Sequence, residues 1–234
     1  MARPERPLNC PPRRHALAGG LRAIRAQAGV TYADLAEHTG RLSPATLKRV
    51  ASDVGGVPKW ANVEAYYHAC LALCGPGGSA GVSAAGADLH RLWCLARREE
   101  RGTLAVRTLA PGLVRDKADL GYALYALYEH QGAPALRELQ QRAGGALHLP
   151  LSTAARIVTR QALPADTQQY QAFLAGCGAA TNGARYKEWL AAWYKVMLFD
   201  VDPEMRQYVV DEQMTEATRR AARRLMERTS VPAP

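Results

Sequence analysis

Aromatic residues are scarce in this 234-residue chain, at 7%, and long runs of β-branched residues are absent. A sheet-rich core is therefore not expected, because pleated surfaces favour those side chains. No apolar run approaches the roughly 20 residues that cross a bilayer, so no membrane partner is expected. There are five cysteines, Cys10, Cys70, Cys74, Cys94 and Cys177, and an odd count argues against a complete internal disulfide framework. Cys70 and Cys74 can share a helix turn, but no second Cys or His pair completes a zinc pattern, so no metal is implied and small buried thiols are expected. The chain has no G-x-x-x-x-G-K-[ST] loop, no G-x-G-x-x-G after a strand and no H-E-x-x-H. Its six histidines are scattered, none beside a matching nucleophile motif. No catalytic residue and no cofactor emerge, and an enzyme is not expected. The opening MARPERPLNCPPRRH holds four prolines and no apolar stretch, so no secretory signal is expected and a cytoplasmic, nucleoid-associated location is.

What is present is alanine, leucine and positive charge. Hydrophobic residues make up 48%, enough for a real core, and abundant alanine favours helix. The formal charge is +9 and the isoelectric point is near 9.6, which favours an acidic partner, nucleic acid first and an anionic membrane second. Arginine far outnumbers lysine. That suits bidentate contacts to phosphate or guanine, but a GC-rich genome produces the same bias, so it decides little.

Apolar spacing divides the chain into amphipathic helices. Residues 1–15 read as a flexible basic arm, with Arg13 and Arg14 as possible DNA contacts. Leu17, Leu21 and Ile24 then share one helix face, ended by Ala28-Gly29. Thr31 caps a second helix, TYADLAEHTG, with Asp34 placed as in a capping box and Gly40 as the stop. SPATLKRVAS is a third helix, with Ser43 as cap and Leu47 and Val50 inward. The loop DVGGVPKW leads to a fourth helix, ANVEAYYHACLALCG. GPGGSAGVSAAG reads as a flexible connection before a Trp-bearing helix, ADLHRLWCLARREERG. The second half runs through KADLGYALYALYEHQG, APALRELQQRAGG, LSTAARIVTRQ, TQQYQAFLAGCG and ARYKEWLAAWYKVML, and ends in a charged amphipathic helix. The expected boundaries are arm 1–15, first domain 16–74, linker and Trp helix 75–115, second domain 116–199, and C-terminal helix and tail 200–234.

The halves echo each other in order. Thr46, Arg49 and Val50 match Thr153, Arg156 and Ile157, and Cys70 matches Cys177, all at an offset of 107. Gly29 matches Gly132 and Gly40 matches Gly144 at the smaller offsets 103 and 104, so extra residues fall in the turn before the second LSTAARIV segment. A shared offset with gaps confined to loops is a duplication signal.

GVTYADLAEHTGRLSPATLKRVASDVGGVPKWANVEAYYHACLALCG resembles the lambda-repressor-like (Cro/CI, XRE) helix-turn-helix domain. It carries [TS]-x-x-[DE]-L-A-x-x-[ST]-G, a tight turn, then S-x-x-T-[LIV]-x-R-[LIV]. LPLSTAARIVTRQALPADTQQYQAFLAGCG is similar to a variant of actinomycete bacterial regulators, departing upstream in its longer turn and in Gln140 where Ala36 stands. The resemblance implies an all-α fold: two tandem lambda-repressor-like helix-turn-helix bundles plus a long C-terminal helix. It implies sequence-specific binding of double-stranded DNA and transcription regulation. In such domains the second helix crosses the phosphate backbone and the third enters the major groove.

The residues then expected at DNA are Thr31, Tyr32, Ser43, Pro44, Ala45, Thr46, Lys48 and Arg49 in the first copy, and Ser152, Thr153, Arg156, Arg160 and Gln161 in the second. Lys48 is the foremost candidate for a direct contact. Thr46 fits a packing or capping role as well, and Arg49 and Arg156 fit structural or phosphate-contact roles equally. Trp60, Trp93, Trp189 and Trp193 are expected to close small cores. The C-terminal helix, with Tyr208, Val209, Met214, Leu225 and Met226 beside Arg219, Arg220, Arg223 and Arg224, is expected to pack on the body or form a homodimer. Two rival readings stand: a protein-interaction adaptor with degenerate helix-turn-helix domains, and a plasmid or phage replication or partition factor.

Overall fold

The computed structural model describes residues 7–75, 78–179 and 181–198, all helices and connections, with no strand among them. Contacts divide the chain into two compact units between Ala105 and Val106. The expected C-terminal helix and its proposed dimer role lie outside the described residues.

The first unit holds α1 (Pro12–Ala28), α2 (Tyr32–Thr39), α3 (Pro44–Val50), α4 (Trp60–Leu73), α5 (Ser79–Gly86) and α6 (Leu89–Glu100). Arg14, Leu17, Ala18, Leu21 and Ile24 make one buried stripe of α1, the spacing that faces a helix inward. Gly29 ends α1 at φ 68°, a left-handed turn open to glycine without strain. Leu35 of α2, Leu47 and Val50 of α3, and Val63, Tyr66 and Cys70 of α4 close over that stripe. The Tyr66 hydroxyl donates to the Leu21 carbonyl at 3.2 Å, so the ring is buried without an orphaned polar tip. Burial pushes the Cys70 thiol up to about 12, which keeps it protonated and unreactive near neutrality.

Two expectations change here. α1 begins at Pro12, so Arg13 and Arg14 belong to a helix and not to an arm. Proline suits the first helical turn, where its missing N–H costs nothing. The Gly-, Ser- and Ala-rich connection is mostly helix α5, packed against α1 with Val82 buried. Its small residues serve close approach: a Cβ on Gly86 would collide with the Tyr67 ring. α6 also packs along α1, so the Trp-bearing helix is part of the first unit. Trp93 lies tilted against Trp60, with ring centroids 5.5 Å apart.

The second unit holds a 3-10 turn (Pro111–Leu113), α7 (Lys117–His130), α8 (Leu136–Arg142), α9 (Leu151–Val158), α10 (Thr167–Gly176) and α11 (Gly183–Leu198). Its core joins Leu120, Leu124 and Tyr128 of α7 to Leu139, Ile157, Tyr170, Phe173, Trp189 and Trp193. Tyr170 stacks on Trp193 at 4.6 Å and donates to the Trp189 carbonyl at 2.8 Å. The connection from α8 to α9 spans residues 143–150, against 40–43 between α2 and α3. Gly144 and Gly145 turn it at φ 91° and 100°.

Two glycines make opposite predictions. A Cβ on Gly176 would meet the Leu139 carbonyl oxygen at 2.7 Å, whereas one on Gly19, inside α1, meets nothing within 4 Å. Gly176→Ala should destabilise the second unit by about 1–3 kcal/mol. Gly19→Ala should stabilise the first by up to about 1 kcal/mol, because alanine restricts the unfolded chain and favours helix. Thermal unfolding of the full chain reads both.

Candidate nucleic-acid interface

α2 is fixed by a reciprocal cap. The Thr31 hydroxyl accepts the Asp34 N–H at 3.2 Å, and the Thr31 N–H donates to the Asp34 carboxylate at 2.7 Å. Those bonds hold the Asp34 carboxyl below its usual pKa. The left-handed Gly40 then stops the helix. At α3 the Ser43 hydroxyl accepts the Thr46 N–H at 3.2 Å and lies 3.0 Å from the Thr46 hydroxyl. Thr46 is thus half-buried and engaged in the cap.

Leu47 is fully buried and Val50 nearly so. Because residues three apart share a helix face, their burial turns Ala45, Lys48 and Arg49 outward, and all three are exposed, as are Pro44 in the first turn, Thr31 and Ser43. Tyr32 is half-buried: the Arg25 guanidinium lies 4.6 Å above its ring, and the Tyr66 ring stands 6.4 Å away. Arg25 also donates to the Val30 carbonyl at 2.9 Å, so it braces the turn into α2.

Two exposed cations were absent from the sequence reading. Arg41 stands in the turn between α2 and α3, and Lys59 is the N-cap residue of α4. With Lys48 and Arg49 they bracket α3, and none of the four forms an ion pair among the described residues. Their signal in the sequence was weak, because single basic residues in loops are ordinary. The nearest acids along the chain are Glu37 before Arg41, Asp53 after Arg49 and Glu64 after Lys59, and Asp53 accepts the Asn9 N–H at 3.0 Å.

The ends of α3 explain why Arg14 is no arm contact. Its side chain is only 5% exposed, and its guanidinium donates to the Ser52 carbonyl at 2.5 Å. Arg22 donates to the Ala51 carbonyl at 2.9 Å. Two cations of α1 thus satisfy carbonyls left over where α3 ends, a place that favours positive charge. Arg13 is exposed, with its backbone N–H held by Glu99 at 2.9 Å.

In the second unit Ser152 and Arg156 are exposed and Thr153 is half-buried on α9, while Ala154 and Ile157 face inward. Arg160 and Gln161 do not share that face. α9 ends at Val158, and Arg160 takes a left-handed φ of 59° beyond it. Arg160 covers the Tyr125 ring at 5.3 Å. Both therefore lie at the far end of a helix about 12 Å long. The turn before α9 exposes Leu147, 96% accessible.

The geometry is that of a capped helix, a tight turn and a second capped helix laid on a shared core. Residues 16–73 match the family model described as a helix-turn-helix domain. The first unit therefore carries a helix-turn-helix domain. No curated protein and no solved structure matches the chain significantly. Among the described residues no helix is long and apolar enough to cross a membrane, and no group of three or more His, Cys, Asp or Glu is placed to hold a metal.

The Asp34 cap gives a pH dependence. Its folded pKa is depressed, so it contributes stability above its unfolded value of about 3.9 and loses that contribution as pH falls through the lower folded value. Asp34→Ala should lower the melting temperature of the first unit at pH 7, and the gap from the parent should close toward pH 2. A gap unchanged at acid pH would contradict the cap.

Proposed function

We propose that the chain is a sequence-specific double-stranded DNA-binding protein, acting as a bacterial transcription regulator, that presents α3 to the major groove. The observation that carries this reading is Lys48 and Arg49, exposed and without ion-pair partners among the described residues, on the face opposite buried Leu47 and Val50. Both can donate to guanine edges or phosphates, and Ala45 can meet a thymine methyl. Arg41 and Lys59 add phosphate contacts at the two flanks. Tyr32, Thr31 and Ser43 stand at the starts of α2 and α3, where backbone contacts position such domains. The net charge of +9 favours the same partner.

The second unit reads as an altered copy of the first. Its helices follow in the same order, and Thr153 and Arg156 stand on α9 where Thr46 and Arg49 stand on α3. Its turn is longer, Ala155 replaces Lys48, and Leu147 is exposed beside the start of α9. The longer turn and the loss of the Lys48 position favour a second reading for this unit alone, as a protein-docking head in the manner of an adaptor. Ser152, Thr153 and Arg156 would remain available for weaker phosphate contact.

Fluorescence anisotropy with a labelled duplex tests the reading. About four to six phosphate contacts should give a slope of roughly −4 to −5 in log K against log salt. Lys48→Ala combined with Arg49→Ala should weaken binding at least about tenfold, at about 1–3 kcal/mol per lost base contact. A slope near zero sinks DNA binding, and unchanged affinity in the double variant removes α3 from the interface.

A further inference from the structure

The loop from Ala51 to Lys59, which joins α3 to α4, makes little regular structure of its own. Backbone groups in such a loop need partners. Some lie inside residues 16–73: the Val54 N–H donates to the Ser52 hydroxyl at 3.3 Å, and Arg22 donates to the Ala51 carbonyl at 2.9 Å. Further contacts to the loop come from outside residues 16–73. Arg14 donates to the Ser52 carbonyl at 2.5 Å. The Asn9 N–H donates to the Asp53 carboxylate at 3.0 Å. The Glu100 carboxylate accepts the Val57 N–H at 2.8 Å, and the Trp93 indole donates to the Pro58 carbonyl at 2.8 Å. The donors and acceptors are themselves held. Glu99 accepts the N–H groups of Arg13 and Arg14 at 2.9 and 3.1 Å, tying the start of α1 to α6. The other oxygen of Glu100 is paired with Arg97 at 2.7 Å. Gly56 leaves room for that carboxylate, since a Cβ there would lie 2.5 Å from it.

We propose that α6 and the start of α1 form a collar that sets the position of α3 and its following loop for DNA reading, with Arg14, Trp93 and Glu100 as positioning residues. This rests on the DNA-binding reading of α3. The functional reading head then extends over residues 7–104 and exceeds the matched domain at both ends. Burying Arg14 is costly, since its Nε and Nη1 find no partner among the described residues, and a buried cation so poorly paired contributes little to stability. What the burial secures is the place where α3 ends. Both helix ends also close locally: the Ser52 hydroxyl donates to the Arg49 carbonyl at 2.9 Å after α3, and the Thr159 hydroxyl to the Ala155 carbonyl at 2.8 Å after α9. Arg14 and Arg22 are an addition to that local cap at the end of α3.

Glu100→Ala in the full chain is the primary test. Glu100 is exposed at the C-terminal end of α6, where a carboxylate opposes the helix dipole and alanine is a better helix former. The melting temperature should therefore stay within a few degrees. Hydrogen exchange at the Val57 amide should rise in the free protein. On a duplex selected from a random-sequence library by the parent, affinity should fall about three- to tenfold, the scale of an ordinary hydrogen bond's net contribution. Binding to unselected duplex should change less than about twofold, and the salt slope should hold within about 0.5, because no phosphate contact is lost. Arg14→Met is the second variant, with the same pattern expected on DNA. Unchanged Val57 exchange, unchanged discrimination in both variants, or a slope reduced by about 0.9 overturns the collar. If the parent itself fails to bind any duplex, the DNA reading fails, and the exchange measurement still decides whether the collar exists.

Discussion

Everything at the candidate interface depends on the burial of Leu47 and Val50. α3 has only seven residues, too few to hold a helix in water by itself. Each buried aliphatic side chain contributes about 1.5–3 kcal/mol, and these two settle which face of α3 is hidden. Once they lie against Leu35 and the α1 stripe, Lys48 and Arg49 have no choice but solvent. The polar face is thus a by-product of core packing, and its chemistry is set by which residues fill the positions left outside.

A short helix anchored by two residues is still free at its ends, and the chain addresses each end separately. Ser43 closes the start with its own hydroxyl, a local device. The end is closed locally by the Ser52 hydroxyl on the Arg49 carbonyl and, from a distance, by Arg14 and Arg22. That difference explains why α1 and α6 matter to a surface they do not themselves present. In the second unit the end of α9 relies on nearby backbone and hydroxyl groups, and the cation sits on the opposite partner: Arg160 at the end of α9 covers Tyr125 of α7, whereas in the first unit Arg22 of α1 reaches the end of α3.

The local parts were legible in the sequence because their causes are local. Thr31 with Asp34, Ser43 before Pro44 and Gly40 after Thr39 are patterns a few residues wide, and the structure puts a cap or stop at each. The stripe of Leu17, Leu21 and Ile24 was equally plain. What failed was composition used as a proxy for disorder. Prolines before Arg13 looked like an arm, yet Pro12 starts a helix; the glycine- and alanine-rich stretch looked like a tether, yet Ser79–Gly86 form α5. The bonds of Arg14 to Ser52 and of Glu100 to Val57 span 38 and 43 residues, and no spacing rule reaches that far. Arg160 was grouped with Ser152, Thr153 and Arg156 as the matching face of the second copy, whereas the backbone turns left-handed there.

The claim that the outward face of α3 meets DNA is tested most directly by hydrogen–deuterium exchange of the full chain, free and bound to a duplex selected from a random-sequence library. Amides of residues 31–34, 41–43, 45–49, 57, 59 and 60 should slow on binding, in a band that follows the starts of α2, α3 and α4. Protection confined to the second unit, or its absence from residues 41–49 with DNA bound, would contradict that claim.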